Sequence, residues 1–254
     1  MTAELAALAG LVQAQAWGAF LVFLRVGAAM ALLPGFGEQS VPVRVRLALT
    51  LAFTLAVWPA LPPTDPAASM TVAVAGEVAA GLILGAGLRL VVMALQIAGT
   101  IAAQATSLSQ LFGGTAGEPA PAAANLLLLA GLALAMAQGL HVKVAGLFIL
   151  SYDLLPAGRL PAPGDAAAWG VARVAQAFAT AFALAMPFVL AATVFNVALG
   201  VINRAMPMLM VAFVGAPALT LGALALLAVA APHMLEVWSG LLDRALAAPL
   251  AAVP

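Results

Sequence analysis

The chain has 254 residues, of which 65% are hydrophobic and 7% charged, and its formal net charge is zero. Soluble domains carry roughly 25% charged residues. Together with a mean hydropathy of +1.16, this composition identifies an integral membrane protein. No polar stretch is long enough for a soluble domain. Zero net charge removes the basic field that nucleic-acid binding needs, and the absence of cysteine removes disulfides and thiolate metal sites.

In chain order, the opening MTAELAALAG lacks a basic n-region, so a cleaved secretory signal is not expected. Between Glu4 and Arg25 lie 20 uncharged residues, and the apolar run continues to Leu33, with Trp17 and Phe20 as interfacial anchors. Pro34 to Arg46 is a turn-rich connector carrying Arg44 and Arg46. Leu47 to Trp58 is a second apolar segment, stopped by Pro59, Pro62 and Pro63, and Asp65 lies in the loop beyond. Met70 to Thr106 contains Glu77 and Arg89. As one helix it would exceed 50 Å at about 1.5 Å per residue, against a bilayer core of about 30 Å, so it either projects from the membrane or breaks near Gly99. Ala122 to Leu140 and the shorter Val144 to Leu150 follow, separated by His141 and Lys143. The second of these ends at Ser151-Tyr152-Asp153, ahead of a proline-rich loop from Leu155 to Asp165.

The last part reads as a helical hairpin. Ala166 to Ile202, with Pro187 midway, is followed by a turn at Asn203 to Pro207. Met208 to His233 then runs without a charge, with Gly215 and Pro217 inside it. Glu236 to Pro254 reads as an interfacial tail. About six long apolar segments result, uneven and several broken by proline. If the arginine connectors face the cytoplasm, Asp65 and the Lys143 to Asp165 region face the other side, though Lys143 and Arg159 run against a clean pattern.

Arg25, Glu77 and Arg89 are the ionisable groups deepest in apolar context. Each costs roughly 2.5–3.5 kcal/mol on insertion scales and needs a partner or a wet cavity. Glu77 and Arg89 lie 12 residues apart, about 18 Å along a helix, and cannot pair on one straight helix. An Arg25–Glu77 bridge within the chain, pairing across subunits, and a proton relay are the three readings. A relay usually needs more than one intramembrane carboxylate. His141, Lys143 and His233 read as segment-end or hydrogen-bonding residues rather than metal ligands. No HExxH, P-loop, GxSxG or dinucleotide fingerprint occurs, so no catalytic set, metal or cofactor is expected. Met206, Met208 and Met210 cluster at the last turn, either as packing or as a deformable seal around a moving polypeptide. Gly81 and Gly85 form a GxxxG match that allows close helix approach.

One stretch fits neither helix nor solvated loop. Ser107 to Pro121, SLSQLFGGTAGEPAP, holds Gly113, Gly114, Gly117 and two prolines, which break regular structure, beside the bulky apolar Leu108, Leu111 and Phe112. It is either an interfacial turn or a plugging segment packed inside protein, where irregular backbone at membrane depth is tolerated.

The ordered set of motifs resembles the FliR/SpaR family of type III export-gate components over nearly the whole chain. FLRVGAAMALLPGFGEQSVPVRVRLALTL (23–51) resembles the family's opening. GEVAAGLILGAGLRLVVMALQIAGTIAAQ (76–104) resembles its Glu-x-x-x-Gly…Gly-x-x-x-Arg helix. SLSQLFGG (107–114) resembles the loop that follows, and SYDLLPAG (151–158) the end of the next segment. RAMPMLMVAFVGAPALTLG (204–222) matches the Arg-x-x-Pro…Gly-x-Pro signature at Arg204, Pro207, Gly215 and Pro217. Met208-Leu209-Met210 stands where the family often has a polar run, and Ala218-Leu219 where a basic residue is common.

The resemblance implies a core component of the flagellar export gate in the bacterial inner membrane, at the flagellar basal body. With FliP and FliQ it would form the channel that passes unfolded flagellar subunits, beside FlhA and FlhB and an energising ATPase. It implies an all-α integral membrane fold of bent helical hairpins in one membrane domain, with a FliP-like part at 1–165 and a FliQ-like hairpin and tail at 166–254. It also implies a pore plug at 107–121, carried by Leu108, Gln110, Leu111, Phe112, Gly113, Gly114 and Gly117. Arg25, Glu77 and Arg89 are then structural or intersubunit ion-pairing groups. The alternatives are a virulence secretion gate and, in a different class, an ion-coupled small-molecule permease, whose broken helices and intramembrane charges would look similar.

Overall fold

The computed structural model describes residues 2–38, 40–62, 69–107, 122–206 and 211–251. Within them the chain is helical: α1 (Thr2–Met30), α2 (Val43–Val57) extended by a 3-10 turn (Trp58–Ala60), α3 (Met70–Ser107), α4 (Ala122–Ala137), α5 (Leu140–Leu154), α6 (Pro163–Ala205) and α7 (Val211–Ala247). Five helical stretches are long and apolar enough to cross a bilayer, and α4 with α5 forms a bent pair that adds at most one more. The bend falls at Gly139, whose φ of 80° is open to glycine at little steric cost.

Of the two readings open for Met70 to Thr106, the unbroken helix is the one found: α3 runs through Gly99, where an added Cβ would stand 2.5 Å from the Ala124 Cα of α4. Two boundaries differ from the sequence expectation. Asn203 and Arg204 are the last turn of α6 rather than part of a turn between helices. The expected interfacial tail is not separate, since α7 continues through Trp238 to Ala247.

The described chain divides into two compact units. The first comprises residues 1–90, 136–173 and 242–254. Its core contains Val26, Met30 and Leu33 from the α1 end, Leu84 and Leu88 from α3, and Leu140, Val144 and Phe148 from α5. Phe53 of α2 sits edge-on between Phe36 of the connector and Phe148 of α5, at centroid distances of 5.8 and 6.1 Å. α2 turns Thr50, Thr54 and Val57 inward. The two hydroxyls donate to carbonyls one turn back, Thr50 to Arg46 at 2.9 Å and Thr54 to Thr50 at 2.7 Å, so neither buried hydroxyl is left without a partner.

The GxxxG match lies at the contact of α1 with α3. A Cβ on Gly81 would run into the Arg25 carbonyl and Ala28, and one on Gly85 into Ala29 and Leu32. Residues 25 to 29 rise alongside 81 to 85, so the two helices are parallel and their backbones touch. Gly76 is equally enclosed by the Arg159 backbone.

The second unit comprises residues 91–135 and 174–241. Trp238 is fully buried and donates its indole N–H to the Val91 carbonyl at 2.9 Å. Gly131 lies against the Trp238 ring and Leu95. Gly215 of α7 lies against Leu199 of α6, which brings these two helices together beside the last turn of α6.

Overpacking a tight contact costs about 1–3 kcal/mol. Gly81→Ala should therefore lower the melting temperature of the detergent-extracted protein and its yield. Gly146→Ala, where an added Cβ meets nothing within 4 Å, should be neutral or slightly stabilising, by up to about 1 kcal/mol on helix propensity. Equal melting curves for the two variants would refute the close α1–α3 approach.

Candidate functional site: a buried ion pair and a second arginine layer

Arg25 and Glu77 meet inside the first unit. Their side chains are 1% and 0% exposed. The guanidinium grips the carboxylate in a fork, Arg25 Nε to Glu77 Oε2 at 2.7 Å and Nη2 to Oε1 at 3.1 Å. This geometry is what planar guanidinium and carboxylate groups favour. The remaining hydrogen-bonding capacity is largely used. Arg25 also donates through Nη1 to Ser151 Oγ at 3.1 Å and through Nη2 to the Leu155 carbonyl at 2.8 Å. Glu77 accepts from Tyr152 Oη at 3.2 Å and from the Gly158 N–H at 3.2 Å. The Tyr152 ring lies 3.6 Å from the guanidinium carbon, a cation–π contact that strengthens when desolvated.

The arrangement ties four pieces of chain together: α1 through Arg25, α3 through Glu77, α5 through Ser151 and Tyr152, and the segment after it through Leu155 and Gly158. Tyr152 also borders a cleft of about 500 Å³ lined by Ala14, Gln15, Trp58 and Pro62, among others. The pair itself is sealed. A buried charge in this setting survives only with its counter-charge and its hydrogen bonds in place.

Arg89 does not join this pair. Twelve residues further along α3, its Nη1 donates to Glu38 Oε1 at 2.6 Å, with side chains 36% and 22% exposed. Arg46 of α2 meets the same connector, Nη2 donating to the Glu38 carbonyl at 3.0 Å and to that of Gly37 at 3.4 Å. Lys143 pairs with Asp243 at 2.6 Å on an exposed surface. His233 and Glu236 approach to 3.8 Å, both largely exposed.

Of the other residues singled out in sequence, Arg204 is exposed on the last turn of α6, Gly215 is a packing contact in α7 and Pro217 lies within α7. Leu108, Gln110, Leu111, Phe112, Gly113, Gly114, Gly117 and Pro207 fall outside the described residues. Sequence reasoning did not single out Tyr152, Ser151 or Glu38 as partners. Their signal was present but nonlocal: each sits at the edge of an apolar segment, and only the helix packing shows which arginine it faces.

Removing one member of a buried pair costs about 3–5 kcal/mol, whereas replacing both with well-packed apolar groups is often neutral. Glu77→Leu should therefore destabilise the protein strongly in a detergent melt. Adding Arg25→Met to Glu77→Leu should recover part of that loss. A double variant no more stable than Glu77→Leu alone would contradict a pair whose cost lies in the uncompensated charge.

Residues 16–245 match the family model for bacterial export proteins, family 1. The flagellar biosynthetic protein FliR of Caulobacter vibrioides is 36% identical over 232 residues, which is 89% of this chain and 92% of that protein. The proteins of the same name from Escherichia coli K12 and Pectobacterium carotovorum are each 29% identical, over 80% and 82% of this chain and the same shares of their own. The match therefore takes in the buried ion pair, the arginine layer and both hairpin helices, and the chain belongs to the FliR family of bacterial export proteins.

Proposed function

We propose that the chain is a component of the flagellar type III export apparatus in the bacterial inner membrane, and that it works as part of a hetero-oligomeric gate with FliP and FliQ rather than alone. Similarity to flagellar biosynthetic proteins over 80–89% of the chain supports the first statement. One observation carries the second. α6 exposes apolar side chains from Val171 to Ile202, about 46 Å of helix at 1.5 Å per residue. The hydrocarbon core is only about 30 Å thick, and covering that length by tilt would need nearly 50°, beyond the usual range of up to about 40°. Part of this apolar length is therefore covered by protein. α7 points the same way, with only 11% of its apolar window buried.

In this reading the segment 107–121 plugs the closed pore. Leu108, Leu111 and Phe112 fill it, Gln110 lies among them, and Gly113, Gly114 and Gly117 supply the freedom to move aside for an unfolded flagellar subunit delivered beside FlhA and FlhB. The Arg25–Glu77 pair serves assembly rather than transport, because it is closed to solvent and each carboxylate oxygen is already held by two donors.

A tagged chain extracted in mild detergent should recover FliP-like and FliQ-like proteins in one large complex, identified by mass spectrometry. Recovery alone, or only with copies of itself, would overturn the gate reading and favour a permease. Deleting 110–117 from an assembled complex should raise ion conductance across the membrane. A complex that assembles without leaking would remove the plug assignment. Glu77→Gln should reduce recovered complex more than export per complex, and the reverse pattern would assign Glu77 to transport.

A further inference from the structure

We infer that the first unit stands in the membrane with the connector between α1 and α2 on the cytoplasmic side and the segment between α5 and α6 on the opposite side. Its basic residues are gathered at one end, which only the packing of the helices reveals.

Contacts within the unit fix which helix ends lie together. α1 and α2 are antiparallel: Gly27 lies against Thr50, while Gln15 and Trp58 border one cleft. α5 runs in the direction of α2, since Phe148 meets Phe53 and Tyr152 borders the same cleft as Trp58. α3 runs in the direction of α1, through the Gly81 and Gly85 contacts. The start of α6 follows α3, with the Arg159 backbone against Gly76 and the Trp169 ring against Gly87. The end of α7 returns to this part of α3, where Ala245 and Pro249 share a small cavity with Leu84, Leu88 and Arg173.

Of the nine lysines and arginines, all but Arg204 belong to this unit, and Arg25 is sealed in its ion pair. Arg44 and Arg46 lie in the first turn of α2. Arg89 pairs with Glu38 of the connector. Lys143 stands at the start of α5 and pairs with Asp243, the neighbour of Arg244. Arg173 lies one turn beyond Trp169 on α6. All of these fall toward the connector end. Arg159 alone falls toward the other, level with Gly76, about 20 Å from the level of Arg89 along α3. Asp153 and Asp165 accompany it, in the last turn of α5 and the first turn of α6.

Along the chain, Lys143 and Arg159 appear to oppose a clean pattern because both precede α6. In the fold α5 separates them, so Lys143 joins the arginines and Arg159 is the single exception. The number of Lys and Arg near the ends of spans sets orientation, and the richer side stays in the cytoplasm. The connector end is the richer side.

The chain has no cysteine, so single introduced cysteines report alone. Ser40 in the connector and Ala162 before α6 are both exposed, and Ser40→Cys and Ala162→Cys leave every charge in place. The full-length variants are treated with a membrane-impermeant maleimide in spheroplasts and in inverted inner-membrane vesicles, each normalised to its labelling in detergent. Ala162→Cys should label several-fold more in spheroplasts, and Ser40→Cys several-fold more in inverted vesicles. The opposite pattern would overturn the orientation, as would labelling of both variants from one side or equal labelling of either from both sides. Orientation rests on the inner-membrane placement proposed above and not on the gate, since the labelling is read whether or not FliP-like and FliQ-like proteins are recovered with the chain.

Discussion

The buried Arg25–Glu77 pair constrains everything around it. Two charges taken out of water cost several kcal/mol each, even after relaxation. Their mutual attraction offsets this only when the geometry is close and the remaining donors and acceptors are matched. Close geometry requires the α1 and α3 backbones to touch, and Gly81 and Gly85 permit that. Matched hydrogen bonds require α5 and the chain after it to come in from the side, which Ser151, Tyr152, Leu155 and Gly158 do. The glycines and the charges are therefore one device. In lipid the hydrophobic effect gives helices little reason to prefer one neighbour over another. A specific polar contact in a small-residue groove supplies the missing selection of partner and register.

The second arginine layer obeys different physics. Its Glu38–Arg89 pair is partly exposed, so water and ions screen it, and its worth is that of a surface pair, about 0–1 kcal/mol. It cannot select helix packing as the sealed pair does. It acts on the connector instead, holding Gly37 and Glu38 between α2 and α3. Along α3 the two layers lie about 18 Å apart. The first is closed to solvent and the second is open to it.

How much of this was legible in the sequence depends on whether the signal was local. The membrane class follows from composition, and the seven α-helices among the described residues lie close to the apolar runs. Arg25 and Glu77 stood out because charge in apolar context is expensive wherever it occurs. Their pairing was one of three open readings, since sequence shows no distance between helices. Tyr152 and Ser151 looked like the polar end of a segment, which they also are. Arg89 looked equivalent to Glu77, although the two lie at different depths. GLILG was a weak match in a chain with 23 glycines, and only the touching backbones distinguish Gly81 and Gly85 from Gly146 or Gly170, which face open space.

Breaks were the least legible feature, for a reason specific to membranes. Gly99 and Pro187 are breakers by propensity, yet α3 and α6 run through them. Glycine costs a helix about 1 kcal/mol and proline about 3. Interrupting a helix in hydrocarbon exposes several peptide groups at several kcal/mol each. The helix therefore continues wherever nothing else satisfies those groups. The chain does bend at Gly139, and there the freed groups find partners: the Gly139 N–H donates to the Met136 carbonyl at 3.1 Å, and its own carbonyl accepts from Val142 at 2.9 Å and Lys143 at 3.2 Å. Glycine permits the left-handed turn, but the recaptured hydrogen bonds are what let the bend exist.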